Sequence, residues 1–364
     1  MAITIIVAVL SIISLMVIHE FGHFIVAKWF RVRVEEFGIG LPPRLFGRKI
    51  GNTIYSLNLV PFGAFVRIPD MERGEKEAGD CRKLSSIPAW QRALILLAGV
   101  ISFWLVGAIL LSIVFGQGAS QPISDEEPGL LVNPKVLITA VMPGSPAQAA
   151  GIMPGDIIKR LTADSQQLAA DRVSEVQEFT DEHKGQEVFL LLERGGETIE
   201  LSLVPRVSPP EGEGAMGIGL ARTAEKSYPF FQAVAKGIEA TVNLTGAIVF
   251  GLADILVSLV KGHGLPQGVQ FIGPIGIGSL ATQAVQVGPV YFLQFIAIIS
   301  VYLAVFNLLP IPALDGGRLL FLGIEKIKGS PIKRKIEQNI TAVFFALLIL
   351  AIILVTIKDV IRLF

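Results

Sequence analysis

Charge is scarce in this chain. Only 17% of its 364 residues are Asp, Glu, Lys or Arg, against 52% that are hydrophobic. That composition excludes an ordinary soluble protein and points to a polytopic membrane protein, whose solvating environment is the lipid bilayer. Cysteine is nearly missing. The single Cys81 excludes an intramolecular disulfide and any zinc cluster built on cysteine sulfur, and it reads as a bystander thiol in a loop. Met1 to Val17 carry no charge, so the positive n-region of a cleaved signal peptide is lacking and the first apolar run is expected to be retained. Repeats and low-complexity tracts are not evident, the formal net charge is zero, and nucleic acid is not an expected partner.

What the chain has instead is long apolar runs separated by segments of different charge. About 20 helical residues cross a hydrocarbon core of about 30 Å. On that measure 1–30, 90–115, 289–317 and 341–364 are four expected transmembrane segments. The loop 31–89 and its flank to Arg92 hold eleven basic against seven acidic residues, and 318–340 is again basic, so both are expected on the cytoplasmic side. Within the first loop, Asn52 to Ile68 alternates and is rich in β-formers, with turn residues at Pro61-Phe62-Gly63, which suggests short strands or a hairpin. Residues 116–228 hold nine bases against seventeen acids and are expected outside. Residues 229–288 are expected as an interfacial amphipathic helix followed by a Gly-Pro loop.

The chemistry-bearing stretch is His19-Glu20-Phe21-Gly22-His23 at the inner end of the first apolar run. Two imidazoles four residues apart on a helix lie on one face, a turn apart, and can reach one zinc ion. Glu20 then sits beside the metal, where it can take a proton from a water whose pKa the ion lowers from about 15.7 towards 7. Ionisable groups in hydrocarbon are costly, which favours a functional role over a chance match. A catalytic site needs a third protein ligand, and Asp254, His263 and Asp315 are the candidates near apolar segments. Depth favours Asp315. With four crossings, the run 289–309 brings Asn307-Leu308-Leu309-Pro310-Ile311-Pro312-Ala313-Leu314-Asp315-Gly316-Gly317 to the level of the histidines; a fifth crossing at 242–260 would put Asp315 about 30 Å away.

Taken together, HEFGH in a first span and NLLPIPALDGG at the end of a late span resemble the site-2 protease family, the M50-type intramembrane zinc metalloproteases. The run Pro143-Gly144-Ser145-Pro146-Ala147, with Pro154-Gly155-Asp156 after it, resembles a bacterial PDZ domain. That single insert, FIGPIGIGSLA and LDGGRLLFLGIEKIKGSP are similar to the regulator-of-sigma-E protease branch. The resemblance implies four transmembrane helices, a membrane-associated β-sheet and an extracytoplasmic PDZ domain, in a bacterial inner-membrane enzyme. By residue it implies Zn2+ held by His19, His23 and Asp315, with Glu20 as base and Asn307 at substrate or oxyanion. It also implies a re-entrant β-loop at Gly63, Ala64 and Phe65 and substrate contact at Gly273 and Pro274. Met216, Gly217, Ile218, Gly219 and Leu220 would capture a peptide C-terminus by strand addition. Substrates would be single-pass membrane proteins, of the anti-sigma factor or remnant signal peptide kind, first trimmed on their outer side. One departure stands out: where many relatives have Gly-Pro-x-x-Asn in the second span, this chain has Gly99-Val100-Ile101-Ser102. A non-catalytic PDZ-bearing adaptor or chaperone with structural zinc is the rival reading, and a metal transporter a second. Retention of Glu20 argues against the first and the paucity of polar residues in the spans against the other.

Overall fold

The computed structural model describes residues 2–68, 84, 87–126, 132–210, 212–264, 272–330 and 332–363. Cys81 lies outside them. In chain order the elements are α1 (Ala2–Trp29), β1 (Glu36–Ile50), β2 (Thr53–Arg67), α2 (Ala89–Gln117), β3 (Ala119–Pro122), β4 (Val132–Val141), α3 (Pro146–Ala149), β5 (Ile157–Ala163), β6 (Gln166–Ala169) and α4 (Val173–Glu182). They continue with β7 (Val188–Arg194), β8 (Glu197–Leu203), β9 (Ile218–Lys226), α5 (Phe230–Val260), α6 (Pro274–Val287), α7 (Pro289–Leu308), α8 (Asp315–Lys328) and α9 (Arg334–Leu363). The chain divides into two compact units, one of residues 1–112, 234–285 and 292–364, the other of 113–233 with 286–291.

The first unit is built on α2. His23 meets α2 at Ile95 while Leu15 packs with Phe103, so α1 and α2 run antiparallel. Leu15, Val100, Phe103, Ile296 and Ala304 form a dry core shared by α1, α2 and α7. Across it Ser300 donates its buried hydroxyl to the Phe103 carbonyl at 2.8 Å, which satisfies a polar group that hydrocarbon could not. α5 runs antiparallel to α2 as well. Gly237 lies against Ala108 and Ser112, Trp104 donates to Thr245 at 3.1 Å, and Ile248 packs on Val301 and Val305.

Four crossings are expected from the sequence, yet among the described residues five helices are long and apolar enough to cross: α1, α2, α5, α7 and α9. The additional one is α5, expected at the interface. An interfacial helix needs a polar outer face. On α5 the face turned away from α2 and α7 is apolar, with Val242, Val249, Phe250, Leu256 and Val257 exposed. Lys236 and Glu239, which look like charged flanks in the sequence, pair with each other at 2.8 Å one turn apart.

The expected hairpin is larger than the sequence suggests. Its sheet begins at Glu36, and the turn is at Gly51-Asn52; Pro61-Phe62-Gly63 lie inside β2 instead of forming the turn. Glu36 to Ile39 is paired on both sides, with Ile54 to Leu57 running in the same sense and with Ala64 to Arg67 running back. The distal half of β1 folds onto 53–58, from Arg44 with Asn58 to Ile50 with Thr53. A run of Gly38, Gly40, Pro42 and Pro43 hides this strand from propensity arguments. The base of the sheet is fixed by Phe24, Phe37 and Tyr55, whose ring centroids lie 5.4–6.4 Å apart.

The second unit contains a seven-stranded sheet in the order β3-β9-β4-β5-β7-β8, with β6 on β5. Val136, Ile138, Ile158, Leu161, Leu190 and Leu192 alternate inward to form its core. Asp156, 1% exposed, accepts two hydrogen bonds from Arg194 at 2.7 Å and one from the Met153 amide at 2.9 Å, so this buried charge is fully answered.

Candidate metal centre

His19 and His23 face the same side of α1, and Asp315 is the first residue of α8. Asp315 Oδ2 lies 3.1 Å from His19 Nε2 and 3.2 Å from His23 Nε2, and the two Nε2 atoms are 3.3 Å apart. All three residues are buried. They form a group of potential metal ligands among the described residues. His23 Nδ1 is 2.7 Å from the Ile95 carbonyl, which can only accept, so this nitrogen carries a proton and neutral His23 presents Nε2 as a bare lone pair. Three electron-rich atoms gathered this closely call for a cation between them.

Zinc satisfies the measurement. With zinc–nitrogen and zinc–oxygen bonds of about 2.0–2.1 Å, ligand atoms of a tetrahedral site are about 3.3 Å apart. The observed triangle matches one face of such a tetrahedron. Two nitrogens, one oxygen and a position left for water are the donor set of a catalytic site; a structural site is closed by four protein ligands.

Glycines let these elements approach. A Cβ on Gly22 would lie 2.5 Å from the Ala98 carbonyl oxygen, so α1 and α2 meet backbone to backbone there. One on Gly99 would lie 2.6 Å from Cε1 of both histidines. On the other side of the site, a Cβ on Gly316 or Gly317 would overlap the carbonyls of Leu308, Leu309 and Ile311, so the turn that delivers Asp315 closes only with glycine. Phe103 stacks on the His19 ring with centroids 4.6 Å apart. Ile95, Gly99 and Phe103 thus form one stripe of α2, every fourth residue, behind both imidazoles. Sequence reading missed this stripe; Gly99 entered it only as part of a departure. Of that departure, Val100 is fully buried in the helix core and Ser102 donates to the Gly99 carbonyl at 2.6 Å.

The other expected site residues fall in several places. Glu20 is half-buried and within electrostatic reach of His19, His23, Asp315 and Arg318. The Asn307 amide donates to the Leu303 carbonyl of its own helix at 2.9 Å. Gly63, with φ +93°, packs against Leu41 and Met16, the latter one turn before Glu20. Ala64 and Phe65 pair with Ile39 and Gly38, and among the described residues no strand pairs with the other edge of 64–67. Gly273 and Pro274 stand at the start of α6. Gly273 is buried against Asp359 and Thr356 of α9, where Asp359 accepts the Gly276 amide at 2.8 Å. In the second unit Met216 is buried, Gly217 has φ +72°, and Ile218 to Leu220 open β9. β9 pairs with β4 from Ile218 onward but with β3 only over Thr223 to Lys226, so its first residues have one unpaired edge among the described residues.

The sequence model of peptidase family M50 matches residues 7–351. A candidate zinc metalloprotease of Clostridium perfringens is 33% identical over 360 residues, covering 98% of both chains. The regulator of sigma-W protease RasP of Bacillus subtilis is 27% identical over 430 residues, covering 96% of both. The zinc metalloprotease RasP of Oceanobacillus iheyensis is 28% identical over 452 residues, covering 99% of both.

Proposed function

The chain belongs to peptidase family M50 and is a zinc metalloprotease, and we propose that it cuts a peptide bond within or near the transmembrane segment of single-pass membrane proteins. The observation that carries this reading is the triangle of His19, His23 and Asp315, buried in a helical unit whose outer faces are apolar. These three residues hold the zinc. Bound there, zinc supplies a Lewis acid that polarises water and the scissile carbonyl. Glu20 takes the proton of the attacking water and passes it to the leaving amide nitrogen. Asn307 exchanges its bond to the Leu303 carbonyl for one to the developing oxyanion. His23 is oriented by the Ile95 carbonyl and His19 by the ring of Phe103, so neither has to reorganise during the reaction.

A substrate helix resists cleavage because its amides are bonded internally. The open edge at 64–67, beside α1, takes the unwound segment as an added strand and presents its bond to Glu20. Substrates are of the anti-sigma factor kind, already trimmed on the outer side. The second unit is a PDZ-like module on that side, whose open edge at Ile218 to Leu220 takes an extended C-terminal peptide and which excludes intact ectodomains by size. The basic loops face the cytoplasm of a bacterial inner membrane. Deleting 130–208 is expected to permit cleavage of an untrimmed substrate; unchanged selectivity contradicts the filter.

The direct test of the reaction is Glu20→Gln against a co-expressed single-pass reporter. Zinc content is expected to stay at one per chain while cleavage falls by about 10²-fold or more. Cleavage that persists with zinc bound overturns the assignment of the base. A structural-zinc adaptor fits less well, since three protein ligands leave the coordination open.

A further inference from the structure

The stripe of α2 behind the histidines extends one turn further, to Arg92, three residues before Ile95. There Arg92 Nη1 lies 3.4 Å from Glu325 Oε2 on α8. Both side chains are largely buried, with 25% and 16% exposure, and Arg92 Nε is buried without a hydrogen-bond partner among the described residues. Glu325 is the carboxylate that answers this cation. Its other oxygen accepts the Ile332 amide at 2.9 Å, beyond the left-handed Gly329 that ends α8, so Glu325 also fixes where the chain goes next.

The placement matters because of what each helix carries. α2 supplies the carbonyl that orients His23 and the cleared space at Gly99; α8 supplies Asp315. Asp315 and Glu325 are ten residues apart on one helix, about 15 Å. At its first turn α8 is seated by Gly316 and Gly317 on the 308–312 turn. Held there alone, it could swing about that point, and with Oδ2 roughly 5 Å from the pivot a swing of about 10° would shift it by just under 1 Å, more than the about 0.5 Å that a metal site tolerates. The contact with Arg92 fixes the second end. This pair joins the helix behind the two histidines directly to the helix of the third donor.

We infer that Arg92 and Glu325 are positioning residues of the metal centre, which set zinc affinity by locking α8 against α2 although neither touches the ion. This rests on the reading of His19, His23 and Asp315 as the zinc ligands. The test uses the full-length protein in detergent, with zinc retention measured by competition with a chelator for wild type, Arg92→Gln, Glu325→Gln and the exchanged pair Arg92→Glu with Glu325→Arg. Each single variant is expected to hold zinc about 10- to 100-fold more weakly, the range seen when groups that orient a metal ligand are removed. The exchanged pair is expected to recover most of that loss. Thermal unfolding of the metal-free forms is measured beside it. Single variants that unfold earlier yet keep wild-type zinc affinity overturn the proposal, as does an exchanged pair that binds zinc no better than the singles. His23→Ala is run in parallel to separate the two readings. Zinc retained in that variant overturns the ligand assignment itself, whereas zinc lost there but unaffected in Arg92→Gln overturns the positioning role alone.

Discussion

At Gly99 a single methyl group decides whether the site can form. Its Cβ would enter the space between the two imidazoles, 2.6 Å from a carbon of each, and α2 is packed too tightly by Val100 and Phe103 to withdraw. Gly99→Ala is expected to lower bound zinc to less than about a tenth of the wild-type content while helical circular dichroism is retained. Full zinc occupancy in that variant would show that α2 is not the wall of the site. Such residues explain what the sequence withheld. His19, Glu20, His23 and Asp315 are legible because the proposed chemistry rests on their own side chains and, for the first three, because their spacing is meaningful on a helix. Ile95 acts through a backbone carbonyl, Gly99 through a missing side chain and Phe103 through a ring face, and none of these leaves a mark in residue type alone.

Among the elements, α1, α2, α7 and α9 were legible to within a few residues except at the start of α9, because runs of about 20 apolar residues have few other readings. α5 was not. Its two charges at 236 and 239 look like the edge of a span, and only the structure pairs them. The apolar outer face of α5 makes a prediction that separates an embedded helix from an interfacial one. With Cys81 replaced, single cysteines at 242, 249 and 256 are expected to resist a water-soluble maleimide in intact membranes and to react after detergent is added. Labelling of all three in intact membranes would return α5 to the interface. β1 escaped for a different reason: its pairing depends on partners in β2, and Gly and Pro within it speak against a strand locally.

On the scale of the whole molecule, two units with different solvents share one chain. In the second unit β7 and β8 alternate buried and exposed residues, a pattern that is legible in a sequence where one face of a sheet meets water. The acid limit of this unit follows from Asp125. Partial burial pushes this carboxyl up, but the amides of Ser174 and Val173 at the start of α4 donate to it and hold it below the usual carboxylate range. A lowered folded value means stability that is present above the unfolded pKa of about 3.9 and lost as the pH falls through the lower folded one. Asp125→Asn is expected to flatten the acid side of the unit's stability curve, read by thermal unfolding between pH 2 and 5. An unchanged slope there contradicts this role for the cap.

The depth argument from sequence allowed Asp315 only with four crossings; α5 is long and apolar enough to be a further one, yet Asp315 lies 3.1 Å from His19, because α5 and α7 both run antiparallel to α2 and so point the same way. The central claim is therefore one of ligands, and zinc-edge X-ray absorption of the purified protein tests it most directly. One zinc per chain is predicted, with nitrogen and oxygen neighbours at about 2.0–2.1 Å and no sulfur at about 2.3 Å, and with the signal lost in His19→Ala, His23→Ala and Asp315→Ala. A sulfur neighbour, or zinc undiminished in any of the three, would contradict the account.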